Sequence, residues 1–219
     1  MINENTIFYE LGKRLTTNEF PHGTKLRAEV LRDEFGCSAS TVREVLFRLA
    51  TRGLVNFQEQ RGFRVPELSL TKLMELTHMR ILLEAEGAVL SIRQGGVAWE
   101  ARLTAAHHKL SYLEKRIHTL GDPSDLVDIW FSSENEFHQT LISACGSSIL
   151  KQMHSLIYAQ FRQQLMEADR QFDFISDNIK HHYDILEAAL AADETLTRQK
   201  IHDHLARHLT GDTVTSPAP

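Results

Sequence analysis

No strand signal follows Pro66, and this feature divides the chain more sharply than any other in the sequence. Before it, short helical and strand patterns are mixed; after it, apolar residues recur only at helical spacing. Ile7, Phe8, Leu11 and Leu15 share one helical face, and that helix is expected to stop near Thr16, Thr17 and Asn18. Pro21-His22-Gly23 is a turn signal. Leu26, Val30, Leu31 and Phe35 predict a second short helix over 26–35, with Gly36 free to take the left-handed backbone that closes it. Ser38 predicts the N-cap of a third helix, whose buried stripe is Val42, Val45, Leu46 and Leu49 and whose end is Gly53. Leu54 to Phe57 and Phe63 to Val65 read as two strands joined by residues 58–62, and Pro66 closes the unit.

Helix, helix, glycine-containing turn, helix and hairpin is the order of a winged helix-turn-helix. Beyond it, helices are expected at about 70–94, 98–119, 123–144, 147–170, 174–192 and 194–210, joined by short turns. The expected fold is therefore mainly α: a winged helix-turn-helix over 1–66, then an antiparallel six-helix bundle over 67–210. The Thr/Ser/Pro-rich tail 211–219 is expected to be disordered.

The formal net charge of −5 does not by itself suggest a nucleic-acid binder. Divided at Pro66, however, the first part carries ten Lys/Arg against eight Asp/Glu, and the second fourteen against twenty-one. That asymmetry, +2 against −7, points to divided labour. No apolar run approaches the roughly 18 residues of a membrane span, so no membrane partner is expected. Residues 1–5 have neither the basic nor the apolar region of a secretory signal. Cys37 and Cys145 are far apart and suit a reducing compartment, so the expected location is the cytoplasm.

In a winged helix-turn-helix the third helix enters the major groove of double-stranded DNA, led by its N-terminal residues. Ser38 can cap that helix, and its N-terminus can hold a backbone phosphate. With the apolar stripe inward, Ala39, Ser40, Arg43, Glu44 and Phe47 face outward. Arg43 is the long cation placed to read a guanine edge. Ser40 and Thr41 can meet phosphates or bases, Arg48 is a further candidate, and Glu44 is expected to orient Arg43 or Arg48. Arg61 and Gly62 put a cation and an unobstructed backbone at the hairpin tip, against the minor groove or its phosphates.

These residues resemble the GntR family of regulators. The resemblance covers about residues 5–66 and rests on Gly23-Thr24-Lys25-Leu26, the run Cys37 to Leu49 with Val42-Arg43-Glu44 at its centre, Gly53-Leu54-Val55, and Arg61-Gly62-Phe63-Arg64-Val65. Two positions depart from the family pattern: Ala39 stands where an arginine is usual, and Thr41 where a proline is usual. At these two positions a base or phosphate contact usual in the family is expected to be missing, and the operator is expected to differ from the common one.

In the second part the spacing of histidines carries the chemistry. Glu134 and His138 lie four apart on one helix face. His182 and His204 fall on the last two helices at equal distances from a turn near Asp193, so a helical hairpin brings them to similar heights. One carboxylate and three imidazoles converging in a bundle suit a borderline divalent cation, zinc first, with nickel or manganese as alternatives. Each histidine alone reads equally as a satisfied or exposed residue. Arg80 and Arg162 can hold an effector carboxylate or make structural salt bridges.

Arg80-Ile81-Leu82-Leu83-Glu84 resembles the R-x-x-L-E signature of the FCD ligand domain, which defines the FadR branch of the GntR family; six helices look like its VanR-type subgroup. Metal-binding FCD domains carry D-x-x-x-H on one helix and a histidine on each of the last two, so the resemblance implies ligation by Glu134, His138, His182 and His204, with glutamate in place of aspartate. The expected function is a homodimeric, non-enzymatic regulator, more often a repressor in this family, on a palindromic operator and responsive to a small organic acid. A helical metallohydrolase or oxygenase, and a dedicated metal sensor, are the alternatives at the same residues.

Overall fold

A computed structural model describes residues 3–17, 19–120, 124–169 and 175–209, and the 211–219 tail lies outside them. It is mainly helical, with a small sheet near the N-terminus. Helix α1 (Glu4–Thr16) opens at Asn3, whose side chain accepts from the Asn5 N–H. α2 (Ala28–Phe35) ends at Gly36 with φ 61°, the left-handed conformation that a side chain makes costly. α3 (Ala39–Thr51) is capped by Ser38, which accepts the Thr41 N–H at 3.1 Å. The expected stripe of Val42, Val45, Leu46 and Leu49 is fully buried. At about 1.5–3 kcal/mol per fully buried side chain, these four anchor α3 against α1 and α2.

The wing departs from expectation in one respect. Besides β2 (Asn56–Gln58) and β3 (Gly62–Arg64), Lys25–Leu26 form a further strand, β1, giving the antiparallel order β1-β3-β2. Lys25 pairs with Arg64 and Leu26 with Phe63. Two residues are too few to show an alternation, so this strand cannot be read from period. Leu54 and Val55, expected in the first strand, instead precede it as buried core residues.

After Pro66 come α4 (Leu70–Gln94), α5 (Gly96–Thr119), α6 (Ser124–Leu141), α7 (Ser148–Asp169), α8 (Ile175–Leu190) and α9 (Glu194–Ala206), which runs on as a short 3-10 turn at Arg207–Leu209. α5 packs against α6 and α8, and α8 against α9. Gly87 lies inside α4 where Ile142, just past the end of α6, and Leu150 of α7 come close: a Cβ would meet them at 2.8 and 3.0 Å. The chain forms two compact units, Met1–Lys72 with Tyr158–Glu167, and Leu73–Ile157 with the chain from Ala168 on. Within the first, Gln163 donates to the Leu54 carbonyl at 3.0 Å.

Candidate nucleic-acid interface and metal centre

The N-terminus of α3 carries a hydroxyl cluster. Ser38 Oγ lies 2.7 Å from Ser40 Oγ and 2.9 Å from Thr41 Oγ1. The cap thus brings three hydroxyls to a helix end whose free N–H groups favour an anion. One turn on, Arg43 projects into solvent, and its guanidinium donates to Glu29 of α2 at 2.7 Å. Arg48 behaves differently: it donates to Glu4 at 2.6 Å and to Asn5 at 3.2 Å, with its guanidinium 4.4 Å from the Phe8 ring centre. Its head reaches back to α1 and links the two helices, while the side chain stays 43% exposed. Glu29 and Glu4, and not the expected Glu44, hold the two arginines.

Arg61 is exposed at the β2–β3 turn. Gly62 has φ 73°, and nothing lies within 4 Å of where its Cβ would be, so its backbone is open to approach. Phe47 of α3 and Phe57 of β2 are 45% and 43% exposed, unusual for large apolar rings, and they pack edge-on with their centres 4.7 Å apart. A groove of about 410 Å³ runs between the start of α2, α3 and the wing, lined among others by Lys25, Arg27, Glu29, Arg43, Phe47 and Phe57.

In the second unit the four residues of the expected cluster come together. One ligand atom from each of Glu134, His138, His182 and His204 lies within 4.8 Å of the others, and all four residues are buried. The α8–α9 hairpin turns at Ala191–Asp193, with Asp193 capping α9, and sets the His182 and His204 ring centres 4.6 Å apart. The His138 ring lies 5.4 Å from the first and 5.3 Å from the second. Burial pushes the His138 imidazole down to about 4, and it pushes His204 well below the ordinary histidine value. Both rings are therefore neutral at neutral pH, which is the form that ligates a metal.

Carboxylates from α4 and α5, which the spacing of histidines does not predict, orient these rings. His138 Nδ1 bonds Glu84 at 2.9 Å, which leaves Nε2 facing Glu134 Oε1 at 3.8 Å. His182 Nδ1 bonds Glu114 at 2.9 Å, and its Nε2 is buried with no hydrogen-bond partner, as is His204 Nδ1. A carboxylate behind the imidazole fixes which nitrogen is offered to the cluster, the arrangement found behind metal-ligating histidines. Buried imidazole nitrogens without partners, a facing carboxylate and a mixed N/O donor set together fit a divalent cation of the zinc or nickel type.

Glu84 is itself held by three groups: Arg80 Nε at 2.5 Å, His138, and His154 of α7 at 2.9 Å. Burial works to raise its carboxyl, but Arg80 and His138 beside it prevail and keep it well below the usual carboxylate range. Of the two readings of Arg80, the structure shows the salt bridge. Arg162, the second expected effector residue, is buried in the stretch of α7 that groups with the N-terminal unit. Glu114 and His154 carried a signal that could have been read: Leu103, His107, Leu110, Glu114 and Ile117 share one buried stripe of α5, as His154, Tyr158, Phe161 and Leu165 share one of α7. A titratable residue on such a stripe needs a buried partner.

Comparison with known proteins agrees with both halves. Residues 3–65 match the gntR family of bacterial regulatory proteins, and residues 75–207 match the FCD domain. The HTH-type transcriptional regulator BphR of Paraburkholderia xenovorans is 36% identical over 71% of this chain, although the match spans only 63% of that protein. The HTH-type transcriptional repressor GlaR of Escherichia coli is 29% identical over 85% of this chain and 84% of its own length. The solved structure of Escherichia coli McbR/YncC shares the fold, with a TM-score of 0.76 and 19% identity over 96% of this chain and 97% of that one. No helix among the described residues is long and apolar enough to cross a membrane. The chain belongs to the GntR family, carries an FCD domain, and is a transcription regulator and not an enzyme.

Proposed function

We propose that this GntR-family regulator is a cytoplasmic, homodimeric repressor that binds a palindromic operator and holds a divalent metal in its FCD domain. In this reading the metal and a small organic acid together set operator affinity. The observation that carries it is the convergence of Glu134, His138, His182 and His204 in a buried cluster. Three imidazoles and one carboxylate favour zinc, with nickel next; manganese prefers more oxygen donors. The bound ion supplies Lewis-acid positions that the oxygens of a carboxylate can complete. The chain's own part is to offer Nε2 of His138 and of His182, held in register by Glu84 and Glu114. Arg80 supports Glu84 through its Nε, and Arg80 and Arg162 remain the arginines proposed to meet the effector carboxylate.

In the first unit, the helix terminus at Ser38, Ser40 and Thr41 and the wing at Arg61 and Gly62 meet the phosphate backbone, and Arg43 reads a guanine edge. Effector binding shifts a population between forms of different operator affinity, so coupling is reciprocal: DNA changes effector affinity by the same factor.

The test combines metal analysis of the purified protein with fluorescence anisotropy on a duplex from its own promoter region. About one metal per chain, lost in His182→Ala, and an acid response that disappears with chelator support the proposal. Protein that takes up no zinc, nickel or manganese on dialysis contradicts it. DNA affinity that follows free metal and ignores organic acids replaces it with a dedicated metal sensor.

A further inference from the structure

The ion pair between Arg43 and Glu29 is out of place as scaffolding. Both side chains are more than half exposed, at 56% and 62%, and a pair so open to water contributes little to stability. It joins the first turn of α2 to the outward face of α3. It also lies on the groove bordered by Lys25, Arg27 and the exposed Phe47 and Phe57. A carboxylate among these cations is repelled by every phosphate that approaches, so it lowers affinity for DNA in general. Its hydrogen bond to the Arg43 guanidinium at 2.7 Å compensates by fixing where that planar group points. A backbone hydrogen bond at the start of α2, with Arg43 beside it, holds the Glu29 carboxyl below its usual range, so the charge persists throughout the neutral region.

We propose that Glu29 is a specificity-determining residue of the operator-binding surface: it positions the Arg43 guanidinium for a guanine and penalises every duplex that offers none. The inference rests on Arg43 reading a base and adds the residue that makes this reading selective. On the matching base pair the guanidinium keeps Glu29 on one edge and turns its remaining donors to the guanine O6 and N7. On a mismatched site it cannot swing to a neighbouring phosphate without leaving Glu29 bare against the DNA. Discrimination thus arises as a difference between two affinities, with the repulsive element supplied by the protein.

The test selects bound sequences from a randomised duplex pool with the full-length wild type, Glu29→Gln, Glu29→Ala and Arg43→Ala. Anisotropy then gives affinities on the wild-type consensus and on a scrambled duplex across a salt series. We expect an invariant guanine in the wild-type consensus that Arg43→Ala no longer selects. Both Glu29 variants relax that same position and bind the scrambled duplex more tightly, lowering the specificity ratio by about tenfold, the scale of one good base contact. Thermal melting separates this from misfolding, because the expected variants melt close to wild type. If Arg43→Ala loses the guanine while both Glu29 variants keep it, the inference fails and the reading of Arg43 stands. If Arg43→Ala selects the same sequences as wild type, the reading of Arg43 fails and takes the inference with it.

Discussion

In the N-terminal head, among the described residues of 3–66, every buried side chain is apolar, and the ion pairs Arg43–Glu29 and Arg48–Glu4 are about half exposed; the buried polar side chains of the first unit, Arg162, Gln163 and Gln164, come from α7. In the C-terminal bundle Arg80, Glu84, Glu114, Glu134, His138, His154, His182 and His204 occupy the interior itself. In the proposed function the head meets a large polyanion at its surface, which calls for no polar interior among residues 3–66. In the same proposal the bundle encloses a small ligand, which requires polar groups inside, most of them held by a partner. The same residue types therefore carry different weight in the two regions: a half-exposed pair contributes little to stability, whereas a buried charge depends on the partners that hold it.

The sharpest way to break this comparison is Glu84→Gln. Removing a carboxylate shared by Arg80, His138 and His154 is expected to cost about 3–5 kcal/mol, as other buried charge networks do when one member is lost. Urea unfolding measures it, and a loss under 1 kcal/mol would show that the interior charges are not structural. In the head, Leu46→Ala should cost about 2–5 kcal/mol through its cavity, a loss that added zinc does not restore. Next comes Glu114→Gln, which keeps the shape but weakens the bond to His182; zinc affinity measured with a competing chelator should fall about 10–100-fold. An unchanged affinity would remove Glu114 from the metal's support. The smallest effect is expected for Arg48→Ala. Its half-exposed pair with Glu4 and its contact with Phe8 are worth about 1 kcal/mol together. Base preference should not change, and if it does, Arg48 is restored to the DNA contacts expected of it.

Much of this was legible because it is local. The stripe Val42, Val45, Leu46 and Leu49 is buried as its period requires, and Ser38 caps as its chemistry requires. The four-residue step from Glu134 to His138, and the equal distances of His182 and His204 from their turn, pointed to the cluster together with the resemblance to metal-binding FCD domains. A helical hairpin fixes heights by counting but does not choose among twelve histidines. Strand β1 was missed because two residues define no period. Glu29 was missed as the partner of Arg43 because the two meet across fourteen residues and two helices, where spacing within one helix does not apply.

Sequence by itself thus determined what depends on one or two elements: the helices, their caps, the family, and the four side chains that converge. Tertiary structure alone decided which carboxylate stands behind which ring, that Arg80 belongs to Glu84, that Arg48 faces α1, and that residues 158–167 of α7 group with the first unit. The reason is physical. Period and capping are set within a few residues of backbone, whereas the partner of a buried charge is chosen by whichever helix packs against it.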